Sequence, residues 1–237
     1  MKREKQYQLM ARELLEELKE DQKFIHSIKS IQTGKFPRDK SSAIYSDRLY
    51  YTNKLRFFLS EIHLMNQIFS NQGLKSLFFQ TFGYEKNVNF TIYPNTWLRD
   101  LPLLDIGENV YLGDHLILGT NRITPDQKEV IVAPITIGDN TIFDQSCAIG
   151  CGSNIGKNTQ VAFNVAISSK CKIGSNVIIG SQTGISHCVR IGSDVTIGDA
   201  CKIGQFAIIE DGAKVPDFTQ IPAFTTFTIN GEMIKRR

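Results

Sequence analysis

From Ile137 to Ile221 an aliphatic or aromatic residue recurs at every sixth position without a slip, through Phe143, Ile149, Ile155 and Val161 to Ile209 and Val215. A period of six belongs neither to an α-helix nor to an ordinary strand. It fits a strand of about four residues followed by a corner, a unit too short to bury its apolar face except by stacking on later copies of itself. Glycine follows the aliphatic at 138, 150, 156, 174, 180, 192, 198 and 204, where a corner calls for a residue that tolerates positive φ. Four positions after each aliphatic stands a small or β-branched residue, among them Thr141, Ser153, Val165, Val177, Val189 and Ala207. It lies two residues before the next aliphatic, so both point to one side of a strand. The pattern predicts a parallel β-helix.

Slots of the same kind begin earlier, at Ile106, Leu112 and Leu118, then pause until Ile131, so a loop around Thr124 to Val130 is expected to project from the coil. Pro216 and Pro222 mark the far end of the repeat. Residues 1–85 read differently: Leu14, Leu18, Ile25 and Ile28, then Phe57, Phe58, Ile62, Met65, Ile68 and Phe69, follow helical spacing. The chain therefore divides into an α-helical N-terminal region, 1–85, and a β-helical domain, 86–237. His26 and His63 read as ordinary helix-face residues.

A net charge of +3, with the basic residues spread along the chain apart from Lys235, Arg236 and Arg237, argues against a nucleic-acid partner. The opening MKREKQYQLMARELLEELKED is too charged for a secretory signal, and no apolar run approaches the ~18 residues of a membrane span, so a cytoplasmic protein is expected. The five cysteines show no CxxC spacing. Cys147, Cys171 and Cys201 fall at the small inward position and read as core, whereas Cys151 and Cys188 fall on corners and read as solvated thiols.

The aliphatic, glycine, two variable residues and small residue of this repeat resemble the hexapeptide-repeat superfamily, over roughly residues 104–229. The resemblance implies a mainly β fold, a left-handed parallel β-helix with three hexapeptides per triangular coil, usually a homotrimer. That handedness is opposite to the usual rule for parallel crossovers. It further implies an acyltransferase that uses acetyl-CoA as donor, with no metal, and a sugar, amino-sugar or nucleotide-sugar acceptor. The γ-class carbonic anhydrases share the fold but bind zinc with three histidines; the β-helix here holds two, His115 and His187. A noncatalytic trimeric scaffold is the rival reading.

His187 is the first candidate for catalytic base. The run Ile185, Ser186, His187, Cys188, Val189, Arg190, Ile191, Gly192 resembles the catalytic histidine segment of lipid A acyltransferases and amino-sugar N-acetyltransferases, with Cys188 where those families place Asp or Asn. Acyl transfer from a thioester needs a base near neutrality and donors for the oxyanion, and imidazole supplies the base. Ser169 and Gln205, one coil away on the same corner, are the candidate substrate-binding residues. His115, next to Asp114, is the second candidate, by its similarity to the Asp-His pair of serine acetyltransferases. Eleven slots separate the two histidines, or ~18 Å along the axis at three slots and ~4.8 Å per coil. The order of parts also resembles the maltose and galactoside O-acetyltransferases, whose catalytic histidine lies in the loop; the loop here, TNRITPDQKEVIVA, has none. Lys235, Arg236 and Arg237 are assigned to the nucleotide end of acetyl-CoA, since arginine suits phosphate.

Overall fold

The computed structural model describes residues 2–236. The N-terminal region forms helices α1 (Lys2–Glu20), α2 (Gln22–Lys29), α3 (Ala43–Ser60), α4 (Ile62–Ser70) and α5 (Gln72–Thr81). Local chemistry starts two of them: Asp21 accepts from Phe24 N at the head of α2, and Asn71 from Leu74 N at the head of α5, each at 3.0 Å. The buried stripe runs through Ala11, Leu15, Leu18 and Phe24, then Phe58, Met65 and Ile68. The expected stripe is thus met in part, but Phe57 and Ile62 face solvent and Leu14, Ile25 and Ile28 are half-buried. His26 and His63 are exposed.

The rest is a left-handed parallel β-helix. Its first face has seven strands, from Thr91–Ile92 to Lys214–Val215; its second has six, from Ile117–Gly119 to Gln220–Ile221. The third has eight: seven parallel strands from Leu104–Ile106 to Thr225–Phe227, and Met233–Lys235 added antiparallel. The inward ladders are Ile155, Ile173, Ile191 and Ile209 on the third face and their equivalents on the other two, all buried. The small inward residues Thr141, Ser153, Val165, Val177, Val189 and Ala207 are also buried.

The coil begins earlier than the repeat does. Thr91–Ile92 pairs with Tyr111–Leu112, and Trp97 forms a parallel bridge to Ile117. A 3₁₀ turn at Leu101–Leu103 lengthens this first coil and hides it from a search for period six. The helices and this coil share one core: Tyr51 donates to Phe82 O, Leu101 N donates to Tyr51 Oη, and Tyr84 bonds the backbone of Ile106. Buried Lys75 donates to the carbonyls of Val88 and Phe90, and burial pulls its pKa down to about 8.

The expected loop is a hairpin, Asn121–Ile123 with Glu129–Val132, and strand Gly34–Pro37 pairs with it to make a three-stranded antiparallel sheet. Ile131 lies in this hairpin and is not a coil slot. Counting real slots puts ten, not eleven, between His115 and His187, or ~16 Å along the axis.

The repeat's glycines require a different reason from the expected one. None of the eight that follow the aliphatic has positive φ. They are needed for close approach: a Cβ on Gly174 would sit 2.6 Å from the carbonyl of Gly192, and one on Gly150 2.7 Å from Ser169 N. Positive φ falls two residues later. On the corner from the third to the first face it is taken by Asn140, Asn158, Asn176 and Asp194, whose side chains form a ladder at 2.9–3.2 Å. Asn and Asp enter this region most readily after glycine.

Gly174→Ala is therefore expected to destabilise the protein by about 1–3 kcal/mol, since the next coil's backbone has nowhere to move. Gly184→Ala, where an added Cβ meets nothing within 4 Å, should stay within about 1 kcal/mol of the parent. Urea unfolding of both variants checks the contrast.

Candidate functional site

The three edges of the prism fill their positive-φ corners differently. The edge from the third to the first face uses asparagine, aspartate and glycine, ending in Gly212. The edge from the first to the second carries His115, Ser146, Asn164 and Gln182, then Ala200 and Phe218. The edge from the second to the third carries Lys170, Cys188, Phe206 and Phe224, at φ of 57 to 61°. A residue with a Cβ costs ~1–2 kcal/mol there. Every corner of the prism takes positive φ, so what sets this edge apart is which residues accept it. His187 immediately precedes Cys188 on that edge.

His187 is exposed, and its Nδ1 lies 2.7 Å from Oγ of Ser168, one coil earlier. Ser168 follows Ile167 in the position that glycine takes in most hexapeptides, so a hydroxyl stands where those have no side chain. When Nδ1–H donates to Ser168 Oγ, Nε2 carries the free lone pair and faces outward as an acceptor. The carbonyl of His187 accepts from Phe206 N at 3.0 Å, which ties the histidine to the next coil. Beside this edge the second face forms an open groove of about 820 Å³, lined by Ala148, Ser168, Ser186, Lys202, Gly204 and Ile221 among others.

Of the two expected substrate-binding residues, Gln205 is exposed next to Phe206. Ser169 is 8% exposed and accepts from the Cys151 thiol at 3.6 Å, turned away from the histidine that Ser168 reaches. Cys151 is buried, which corrects its expected place in solvent: the chain returning from the hairpin at Ala133 and Pro134 packs over that corner. Cys147, Cys171 and Cys201 are buried as core, and burial pushes the Cys171 thiol up to about 11.

The C-terminal strand turns back along the third face and delivers Arg236 to the same edge. Arg236 N donates to Phe224 O at 2.7 Å, and its guanidinium donates to the carbonyl of Phe206. The rings of Phe206 and Phe224 stack at 4.9 Å. Lys235 is exposed, and Arg237 lies outside the described residues. Sequence reasoning missed Ser168 and the phenylalanine pair; the signals were a serine in a glycine slot and aromatic residues in asparagine slots.

His115 occupies a different edge. Its Nδ1 lies 3.0 Å from Oδ2 of Asp114, which also accepts from Asn95 at 3.4 Å. The Asp-His pair exists, but on the other edge of the second face: the strand after it, Ile117–Gly119, lines the far end of the groove, ~16 Å along the axis from His187. Among the described residues no group of three or more His, Cys, Asp or Glu side chains is placed to hold a metal ion. Among the described residues no helix is long and apolar enough to cross a membrane.

The family of bacterial transferase hexapeptide repeats (six repeats) matches residues 152–187 and, again, 170–205. The first window includes Ser168 and His187, and the second includes His187. No curated protein matches the sequence. Among solved structures, the chain is similar to LpxA, a UDP-N-acetylglucosamine acyltransferase from Bacteroides fragilis, with 19% identity and a TM-score of 0.38 over 58% of this chain and 57% of that one. It is similar to the Arabidopsis UDP-N-acetylglucosamine acyltransferase at 19% identity and a TM-score of 0.38, over 59% of each chain. The acetyltransferase domain of PglB from Neisseria gonorrhoeae, in complex with acetyl coenzyme A, is 14% identical with a TM-score of 0.35, over 67% of this chain and 63% of that one. The chain thus spans less than two thirds of the length of each of these three.

Of the five cysteines, Cys188 alone is reached by solvent. Titration of the native protein with an aromatic disulfide should release one thiol per chain quickly and the rest only on unfolding, and Cys188→Ser should abolish the fast phase. A second fast thiol contradicts the burial of Cys151.

Proposed function

We propose that this protein is an acyltransferase that moves an acetyl group from acetyl-CoA to a hydroxyl or amine of a sugar, amino sugar or nucleotide sugar, with His187 as general base. The observation that carries the reading is the His187–Ser168 pair, 2.7 Å apart on the strained edge beside the groove. The repeat family matched over residues 152–205 supports it. The acceptor binds within hydrogen-bond reach of Nε2. Its oxygen or nitrogen attacks the thioester carbon while Nε2 takes the proton, and the Ser168 hydroxyl holds Nδ1–H as the ring becomes cationic. The tetrahedral oxyanion collapses, the C–S bond breaks, and the imidazolium returns its proton to the leaving thiolate. No covalent enzyme intermediate is needed.

The groove is open along its length, which suits a site completed by a second subunit of a homotrimer. Outward-facing Ile142 and Ile178, 44% and 47% exposed on the first face, supply apolar surface for such contact. We assign Lys235, Arg236 and Arg237 to the nucleotide end of the donor, since the arginine fork suits phosphate.

His187→Ala should retain the assembly and acetyl-CoA binding while turnover falls ~10²- to 10⁴-fold. His115→Ala, on another edge, should be nearly neutral. Ser168→Ala should lower kcat by ~10-fold and leave KM for acetyl-CoA unchanged, as expected of a residue that only orients the ring. Active His187→Ala beside inactive, folded His115→Ala transfers the base to His115. Calorimetry without acetyl-CoA binding sinks the enzyme reading in favour of a scaffold.

Sedimentation at micromolar concentration should give a species three times the chain mass. A stable monomer contradicts the intersubunit site.

A further inference from the structure

At the N-terminal end of the second face, where helix α3 packs on the first coil, lies a cluster that the acyl-transfer chemistry does not use. Trp97 is half-buried, and two guanidinium groups sit over its ring: Arg56 at 5.5 Å and Arg99 at 5.8 Å from the centroid. A ring face holds a cation in place without neutralising it. Arg99 also donates to Asn121 Oδ1 at 2.9 Å. Behind them Arg48, whose side chain is 6% exposed, donates through Nη2 to Asp100 at 2.8 Å. Its other terminal nitrogen, Nη1, is buried with no hydrogen-bond partner among the described residues.

The charges do not balance. Asp100 is the carboxylate within this group, and the oxygen that receives Arg48 also accepts from Thr120 at 2.7 Å and Asn121 at 3.2 Å. Three guanidinium groups therefore face one committed carboxylate. Arg99 registers the surplus: burial lowers its pKa, and the neighbouring Arg56 and Arg48 lower it further against the pull of Asp100. Gathering like charges and leaving a buried donor unmade both cost stability. An anion bound beside Arg56 and Arg99 would offset the surplus of positive charge.

We propose that Arg56, Trp97 and Arg99, backed by Arg48, form a binding site for a phosphorylated ligand. Two guanidinium forks on one ring match an oxyanion with several oxygens and more than one charge, which a phosphate ester or diphosphate offers and a single carboxylate does not. The site is separate from the His187 edge. Trp97 pairs with Ile117, Ile117 with Ala148, Ala148 with Ala166 and Ala166 with Gly184. Those four strand spacings amount to ~19 Å. The two sites are filled by different groups, and this one stands whether or not the protein transfers acetyl.

Trp97 is the one tryptophan of the chain, so its fluorescence reports this site alone. The full-length protein at low ionic strength is titrated with inorganic pyrophosphate and, separately, with UDP. A saturable change in emission is expected with pyrophosphate, weakening as salt is raised. Arg56→Gln and Arg99→Gln should each reduce affinity ~10-fold or more, and Arg99→Lys should fall short of the parent because it keeps the charge and loses the fork. Arg56 is exposed, so its variant is expected to fold even where that of Arg99 does not. Equal affinity for both probes assigns the site to phosphate alone; tighter UDP identifies a nucleotide as the source. The His187→Ala protein must respond like the parent, which separates this inference from the proposed reaction. No saturable change with either probe, or a change that both glutamine variants leave intact, overturns it.

Discussion

Every coil of this β-helix is hydrogen-bonded to the next through its own backbone, and the spacing that those bonds impose is what the other features obey. Asn154 N donates to Cys171 O and Gly156 N to Ile173 O, both at 2.9 Å, and the same bonds repeat along the prism. Backbones held one strand spacing apart leave little room for a Cβ just after most of the inward aliphatics. The glycine run answers that demand. The direction of each corner then forces one residue into positive φ, and the asparagine ladder answers the second demand while its amides bond from coil to coil.

The same spacing builds the His187 pair. Ladder partners are 18 residues apart, as Asn158 and Asn176 are, whereas Ser168 and His187 are 19 apart. A side chain just after the aliphatic of one coil thus meets the second position of the following coil. In most hexapeptides glycine leaves that meeting empty. A serine at 168 gives the imidazole a fixed partner on a rigid frame, without any loop being ordered for the purpose. The strained residues Cys188, Phe206 and Phe224 follow on the same edge, and the C-terminal strand ends there with Arg236. The asparagine edge has no such company, although the first-to-second edge also places Ala200 and Phe218 at positive φ.

The helices belong to the same folding unit as the coil rather than standing apart from it. Tyr51 and Tyr84 carry hydrogen bonds from the helical side into the first coil, and the Arg48–Asp100 pair crosses the same boundary in a buried setting. Breaking such a pair by removing one partner is more costly than its presence is stabilising. The strand Gly34–Pro37 extends the link by pairing with the hairpin that leaves the second face. The arginine cluster around Trp97 sits where these tethers meet.

The local pattern of the sequence determined the β-helix, the inward aliphatics, the buried Cys147, Cys171 and Cys201, and the position of the excursion near Thr124, because each depends on a period that repeats over neighbouring residues. It also named His187 and His115, since a histidine in a repeat of aliphatic and small residues is conspicuous. Tertiary structure decided the rest. The first coil escaped notice because Leu101–Leu103 breaks its period, and Cys151 went inside because a distant return of the chain covers it. Ser168 became the partner of His187, Arg236 came to the edge beyond it, and Arg56 met Arg99 over Trp97, through contacts between residues far apart in the chain. Such contacts follow from how coils and helices stack, and no window of adjacent residues carries them.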